Sequence, residues 1–217
     1  MSERVPVVER ILGANDRLAA DNRAALDAAG VFSLNFLASP GAGKTSLVEQ
    51  TVHGLSDRYR LAVIDGDIAT SIDADRAAAA GATAVQINTG GECHLDAVML
   101  QQALGQLDLS IVDLLIVENV GNLICPANFA LGTHKSVLVA SVPEGADKPY
   151  KYPGTYRGVD VLVINKIDLL PYVDFDMDYF RRGVAALNPG LETFAISCRT
   201  GEGIPAWLEW VARQTDQ

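Results

Sequence analysis

Apolar residues fall in short blocks separated by polar and Gly-rich stretches. Val31–Leu37 (VFSLNFL) is mostly apolar and β-leaning, which predicts a strand buried on both faces. Arg60–Asp65, Val85–Asn88, Leu114–Glu118, Ser136–Val142, Asp160–Asn165 and Thr193–Ser197 repeat the pattern. Between them lie segments with helical spacing. The first, Val5–Ala29, places apolar residues at Val8, Ile11, Leu12, Leu18 and Leu26 and ends at Gly30. Further helices are predicted at Ser46–Ser56, Asp73–Ala80, Leu95–Leu107, Asp178–Leu187 and Pro205–Ala212. Strands alternating with helices in this way indicate parallel βαβ units and an α/β layered fold. No Gly/Ser linker divides the chain. It reads as one globular domain, residues 31–217, preceded by an N-terminal helix in residues 1–30.

Composition narrows the function classes. The 217 residues are 49% hydrophobic and 20% charged, enough for a sizeable core and unlike a disordered chain. The net charge of −10 argues against a nucleic-acid binder. No apolar run approaches a membrane span, and residues 1–10 carry acids and no long apolar stretch, which argues against a signal peptide. Cysteines stand at 93, 125 and 198; an odd count in a chain of this size favours reduced thiols in the cytoplasm over a disulfide framework.

Residues 38–45 read Ala-Ser-Pro-Gly-Ala-Gly-Lys-Thr. They match the phosphate-loop pattern G-x-x-x-x-G-K-[ST] except that Ala38 replaces the first Gly. The loop follows a predicted strand and precedes a predicted helix, as the motif requires. Gly41, Ala42 and Gly43 let backbone N–H groups converge on phosphate oxygens, and Ser46 continues into the helix start. Lys44 is expected to reach the β- and γ-phosphates, and Thr45 to offer its hydroxyl to Mg²⁺.

Asn165-Lys166-Ile167-Asp168 follows another predicted strand and matches the N-K-x-D pattern of guanine recognition. The Asp168 carboxylate can accept from guanine N1–H and the exocyclic amine, a donor pair that adenine lacks. The Lys166 stem can lie over the base, and Asn165 can tie loops together. These residues argue against a small-molecule kinase. Ser197-Cys198-Arg199 resembles the S-A-K loop of GTPases, which places Cys198 near the base. Carboxylates at strand ends are Mg²⁺ candidates: Asp67 first, Asp73 more weakly. Glu118–Gly121 is the expected γ-phosphate sensor. Lys44, Asp67 and Glu118 are the expected catalytic residues. No obvious base or water-positioning glutamine is visible, so slow intrinsic hydrolysis is expected.

Cys93-His94 follows Gly90-Gly91-Glu92, and Cys125 lies seven residues after Glu118. Two thiols and an imidazole suit Ni²⁺, Zn²⁺ or copper. Two buried free cysteines and a capping histidine are the alternative. Adjacent ligands on a regular strand point apart, and the Gly-Gly turn relieves that constraint. Glu92 is either an extra oxygen ligand or solvated.

Five stretches resemble the HypB family, the nickel-incorporation GTPases of hydrogenase maturation. They are Ala38–Thr45, Ile87–Ala97 (INTGGECHLDA), Glu118–Phe129 (ENVGNLICPANF), Glu144–Pro153 and Asn165–Asp176. The resemblance implies a P-loop NTPase of the signal-recognition/MinD-like class and a GTP-dependent homodimer. It also implies an interfacial nickel or zinc site formed by Cys93, His94 and Cys125. Its partners would be the hydrogenase large-subunit precursor and a nickel-delivery accessory protein. Gly91 stands where the family often has Lys. Histidines occur only at 53, 94 and 134, so bulk nickel storage is not expected. A urease-type accessory GTPase and a nucleotide-stabilised metal module without turnover are the competing readings. Ile124-Cys125-Pro126 favours the hydrogenase role over the urease one.

Overall fold

The computed structural model describes residues 7–67 and 72–217. Seven strands form one parallel sheet in the order β3-β2-β4-β1-β5-β6-β7. They are β1 (Phe32–Ala38), β2 (Leu61–Asp67), β3 (Thr83–Asn88), β4 (Leu114–Glu118), β5 (Lys135–Ser141), β6 (Val161–Asn165) and β7 (Glu192–Ala195). The central strands β4 and β6 are buried at every residue, which accounts for their unbroken apolar runs. The edge strands β3 and β7 have no fully buried residue, and their sequences are more polar.

Helices cover both faces. They are α1 (Val7–Ala29), α2 (Lys44–Leu55), α3 (Ile72–Ala79), α4 (Ala97–Leu104), α5 (Lys148–Lys151), α6 (Pro153–Arg157), α7 (Met177–Leu187) and α8 (Ile204–Thr215). Strand alternation sorts the core into layers. Leu34, Phe36, Leu114 and Ile116 face α2 and α8, with Trp207 fully buried there. Leu115 and Val117 face α1 and α4, whereas Leu138, Leu162 and Ile164 face α6 and α7.

The expected elements are all present, with ends shifted by a few residues. The helix expected at 95–107 is shorter, because Asp96 caps it by accepting from the Met99 N–H and Gly105 ends it. The short helices α5 and α6 were not anticipated; each opens with a proline within its first two positions, and neither is long enough to show a periodic pattern. The expected helix start at Val5 lies outside the described residues.

The N-terminal helix is fastened by polar groups to the start of α4 and to the loop before β5. Its buried stripe is Asn15, Ala19, Asn22 and Leu26. Asn15 donates to Ala130 O (2.8 Å) and accepts from Ala97 N–H (2.9 Å). Asn22 donates to Ala97 O and Leu131 O. Arg23 donates to the carbonyls of Gly132 and Thr133. Gly132 has φ 92°, and a Cβ there would stand 2.1 Å from Ala19 O. Among the described residues no helix is long and apolar enough to cross a membrane.

Candidate nucleotide and metal site

The loop after β1 places Gly41 and Gly43 in left-handed conformations, φ 75° and 96°, which glycine adopts without penalty. Gly43 has a second reason to lack a side chain: a Cβ there would stand 2.3 Å from Asn165 Nδ2. Lys44 and Thr45 begin α2, so the helix N-terminus faces the loop. The Lys44 ammonium lies 2.9 Å from Glu118 Oε1, and the Thr45 hydroxyl donates to the same oxygen at 2.6 Å. Glu118 is 1% exposed at the end of β4. A charge buried so deeply needs such partners.

Around this pair lies a cavity of about 400 Å³, lined by the loop, Ser46, Asp65, Asp67, Asp73, Gly121 and Lys166. Register places Asp65 directly beside Glu118. Ligand oxygens of Asp65, Asp73 and Glu118 all lie within 4.8 Å of one another. Asp65 is 2% exposed, and its Oδ2 has no hydrogen-bond partner among the described residues. Burial, reinforced by the nearby Glu118 and Asp73 carboxylates, pushes the Asp65 carboxyl up to about 7. Asp67 lines the cavity one pleat further out and is half-buried. Asp67 is the carboxylate the sequence favours, but the deeper Asp65 shares a buried cluster with Glu118, a relation set by strand register.

The guanine-pattern residues gather beside the loop. Asn165 donates to Ala42 O (3.0 Å), and its Oδ1 accepts from the N–H groups of Lys166 and Cys198. Lys166 donates to Gly41 O (2.6 Å) from a left-handed backbone, φ 63°. Ser197 donates to Asp168 Oδ1 (2.7 Å), which fixes one carboxylate oxygen and turns Ser197 into a buttress. A cavity of about 370 Å³ is lined by Glu49, Gln50, Asn165, Lys166, Asp168 and Cys198, among others; it shares Gly43, Ser46 and Lys166 with the phosphate cavity. Burial pushes the Cys198 thiol up to about 11. Cys198 lines this second cavity beside Asn165 and Asp168, apart from the other two cysteines.

Those two meet elsewhere. One ligand atom each from Cys93, His94 and Cys125 lies within 4.8 Å of the others. All three residues are half-buried, and Cys93 Sγ is 3.8 Å from His94 Nδ1. The turn permits this: Gly90 and Gly91 have φ 64° and 103°, so neighbouring side chains leave the alternation of β3. Hydrogen bonding with Cys125 raises the Cys93 thiol above its ordinary value. The imidazole of His94 packs against the Phe129 ring at 4.0 Å. Glu92 is exposed beside the cluster.

Residues 34–195 match the family model described as CobW/HypB/UreG, nucleotide-binding domain. The chain is 49% identical to the hydrogenase maturation factor HypB of Azotobacter vinelandii over 213 residues, 98% of this chain and 70% of that one. It belongs to the HypB branch of the CobW/HypB/UreG family. The crystal structure of HypB from Helicobacter pylori in complex with nickel superposes with a TM-score of 0.89 at 34% identity, covering 94% of this chain and 95% of the other. At the level of fold alone, the signal recognition particle 54 kDa protein of Aeropyrum pernix superposes with a TM-score of 0.57 at 15% identity, covering 85% of this chain and 46% of the other. The chain is thus a P-loop GTPase of the CobW/HypB/UreG family.

Proposed function

We propose that this chain is a nickel metallochaperone that hydrolyses GTP and serves maturation of a [NiFe] hydrogenase in the cytoplasm. The observation that carries the reading is the convergence of Cys93, His94 and Cys125, with Cys125 on the segment that runs directly from Glu118. The hydrogenase maturation name of the Azotobacter relative and the nickel complex of the Helicobacter relative support nickel as cargo. The thiol–imidazole donor set suits Ni²⁺ and equally Zn²⁺.

GTP fits the two joined cavities, with guanine toward Asp168 and phosphates toward Lys44. The bound phosphates would compete with Glu118 for the Lys44 ammonium, and this frees or shifts the start of the Glu118–Gly121 segment. The unpartnered oxygen of Asp65 fits a divalent cation, with Thr45, Asp65, Asp73, Glu118 and Asp67 as the available oxygen donors. Mg²⁺ held there would neutralise charge on the phosphates. The described residues lining the phosphate cavity include no histidine or glutamine to orient water, so turnover is slow until a partner completes the site.

Three ligands per chain leave a tetrahedral shell one short. A second copy of the chain supplies the remainder in a GTP-dependent homodimer, and the metal passes to a hydrogenase large-subunit precursor after receipt from a nickel-delivery accessory protein. Measuring metal content with a non-hydrolysable GTP analogue and with GDP, beside multiple-turnover GTP hydrolysis, tests this. State-dependent Ni²⁺ retention with turnover is expected. Turnover absent while metal binds equally in both states would leave only a nucleotide-stabilised metal module.

A further inference from the structure

On its near side the turn that carries Cys93 and His94 is held by Thr89, whose hydroxyl donates to Glu92 O at 2.8 Å. β3 ends at Asn88, and the turn beyond it is fixed from the side by the segment that follows Glu118. Asn122 donates from Nδ2 to Cys93 O at 3.3 Å. Asn119 accepts at Oδ1 from Leu95 N–H at 3.0 Å, and from Val120 N–H at the same distance. The carbonyl of Cys93 belongs to the peptide before His94, and the N–H of Leu95 to the peptide after it. Two asparagines three residues apart therefore grip the two successive peptides that set the direction of His94.

Both grips originate on the nucleotide side. Asn119 adjoins Glu118, the partner of Lys44 and Thr45, and its Nδ2 donates to Asn35 on β1 at 3.3 Å. Gly121, between the two asparagines, packs so closely on the phosphate loop that a Cβ would stand 3.2 Å from Pro40 Cα. Leu95 is wholly buried and presses on Gly66, where a Cβ would stand 2.7 Å from its side-chain carbons. Gly66 lies between Asp65 and Asp67. A shift of residues 118–122 relative to the phosphate loop thus has a direct route to Cys93 and His94.

We infer that Asn119 and Asn122 are positioning residues that transmit nucleotide state to the Cys93–His94 half of the metal site. The inference rests on the coupled metal–nucleotide reading above and assigns its physical link. Coupling between two sites is a ratio of affinities, and it vanishes when the connecting element no longer biases both. Asn122 is the cleaner probe because it is only half-buried. Its Oδ1 also accepts from Ile124 N–H at 2.9 Å, in the turn before Cys125. Asn122→Ala removes both bonds. Asn122→Asp keeps the acceptor for Ile124 and removes the donor to Cys93. The Asp variant also adds a charge, so its ratio is read beside that of Asn122→Ala.

The experiment titrates Ni²⁺ into the full chain with GTP analogue and with GDP, read by thiolate-to-nickel absorbance, for wild type, Asn122→Ala, Asn122→Asp and Asn119→Ala. Thermal unfolding of each checks that it is folded. The wild-type ratio of affinities is expected at roughly tenfold, within the ordinary range of coupling. Both Asn122 variants should bring the ratio to within about twofold of unity while still binding Ni²⁺. A wild-type ratio retained in Asn122→Ala overturns the inference. A ratio restored in Asn122→Asp also overturns it, because Asn122 would then act through the Cys125 turn and not through Cys93. A wild-type ratio of unity sinks the coupled-site reading itself, an outcome distinct from either variant result.

Discussion

The nucleotide half and the proposed metal half of this molecule are held together in different ways. Around the nucleotide cavities, side chains bond to backbones remote in sequence: Asn165 to Ala42 O and to the Cys198 N–H, and Lys166 to Gly41 O. Lys44 and Thr45 meet on Glu118. These contacts join the ends of β1, β4 and β6 into one frame, so the loops are positioned before nucleotide arrives. The proposed metal half is tied mainly to one neighbouring loop rather than across three strand ends. Cys93 and His94 lie beyond β3 on a glycine turn, and Cys125 opens a 3-10 turn. Their position is borrowed through Asn119 and Asn122 from the segment at the phosphates. A preorganised site suits a ligand that must be recognised, and a borrowed geometry suits a ligand that must be both held and released.

The largest break in the comparison should come from Lys44→Ala. It removes the charge opposite the phosphates and should lower GTP turnover about 10²–10³-fold, as for loss of one preorganised electrostatic group. Single-turnover hydrolysis checks this, and a wild-type rate would reject the phosphate-loop role. Metal affinity in GDP should change little, since no ligand is touched.

On the metal side, Cys125→Ala should weaken Ni²⁺ binding by at least about 100-fold, because a direct ligand matters at least as much as an outer-shell one. Cys198→Ala should leave it within about twofold, since that thiol lines the base cavity; the margin is that expected for sites that do not interact. Competition titration measures both. Equal effects would mean that the two cysteine environments are not separate.

Asp168→Asn should weaken GTP by about 2–3 kcal/mol, roughly 30–150-fold, for a lost charged hydrogen-bond pair. Xanthine nucleotide should bind the variant better than it binds wild type. The bond from Ser197 can persist to the amide oxygen, so the fold should be unaffected. Unchanged GTP affinity would remove Asp168 from base recognition.

The smallest effect concerns the docking of α1, far from both sites. His134 bridges Ser33 and Asp27, accepting from Ser33 N–H at Nδ1 and meeting Asp27 at Nε2 (2.8 Å). Burial holds the imidazole below its ordinary value. The unfolded chain therefore takes up a proton first as pH falls through about 6.5, and this contribution is present above that value and lost below it. Thermal unfolding of wild type and His134→Gln should differ most near pH 8 and converge toward pH 5. A gap that widens on acidification would reverse the assigned direction.

Much of this was legible in the residues because the signals are local. Buried parallel strands need unbroken apolar runs, and a phosphate loop needs glycine, lysine and a hydroxyl at fixed offsets. The residues of the N-K-x-D pattern and the candidate soft-metal donors Cys93, His94 and Cys125 could likewise be picked out by type and by their place beside turns. The asparagine stripe of α1 was not, because Asn15 and Asn22 look like surface positions until Ala97, Ala130 and Leu131 stand opposite them.

The sequence by itself determined the βαβ alternation and the class of nucleotide chemistry. Backbone sterics, hydrogen-bonding valence and ligand softness are properties of residues and short spacings. Only the tertiary structure decided that Asp65 sits deeper than Asp67 and that Asn119 and Asn122 reach across to the turn of Cys93 and His94. Those relations join segments from different strands, and strand order and register, set by how the whole core packs, choose which of them meet.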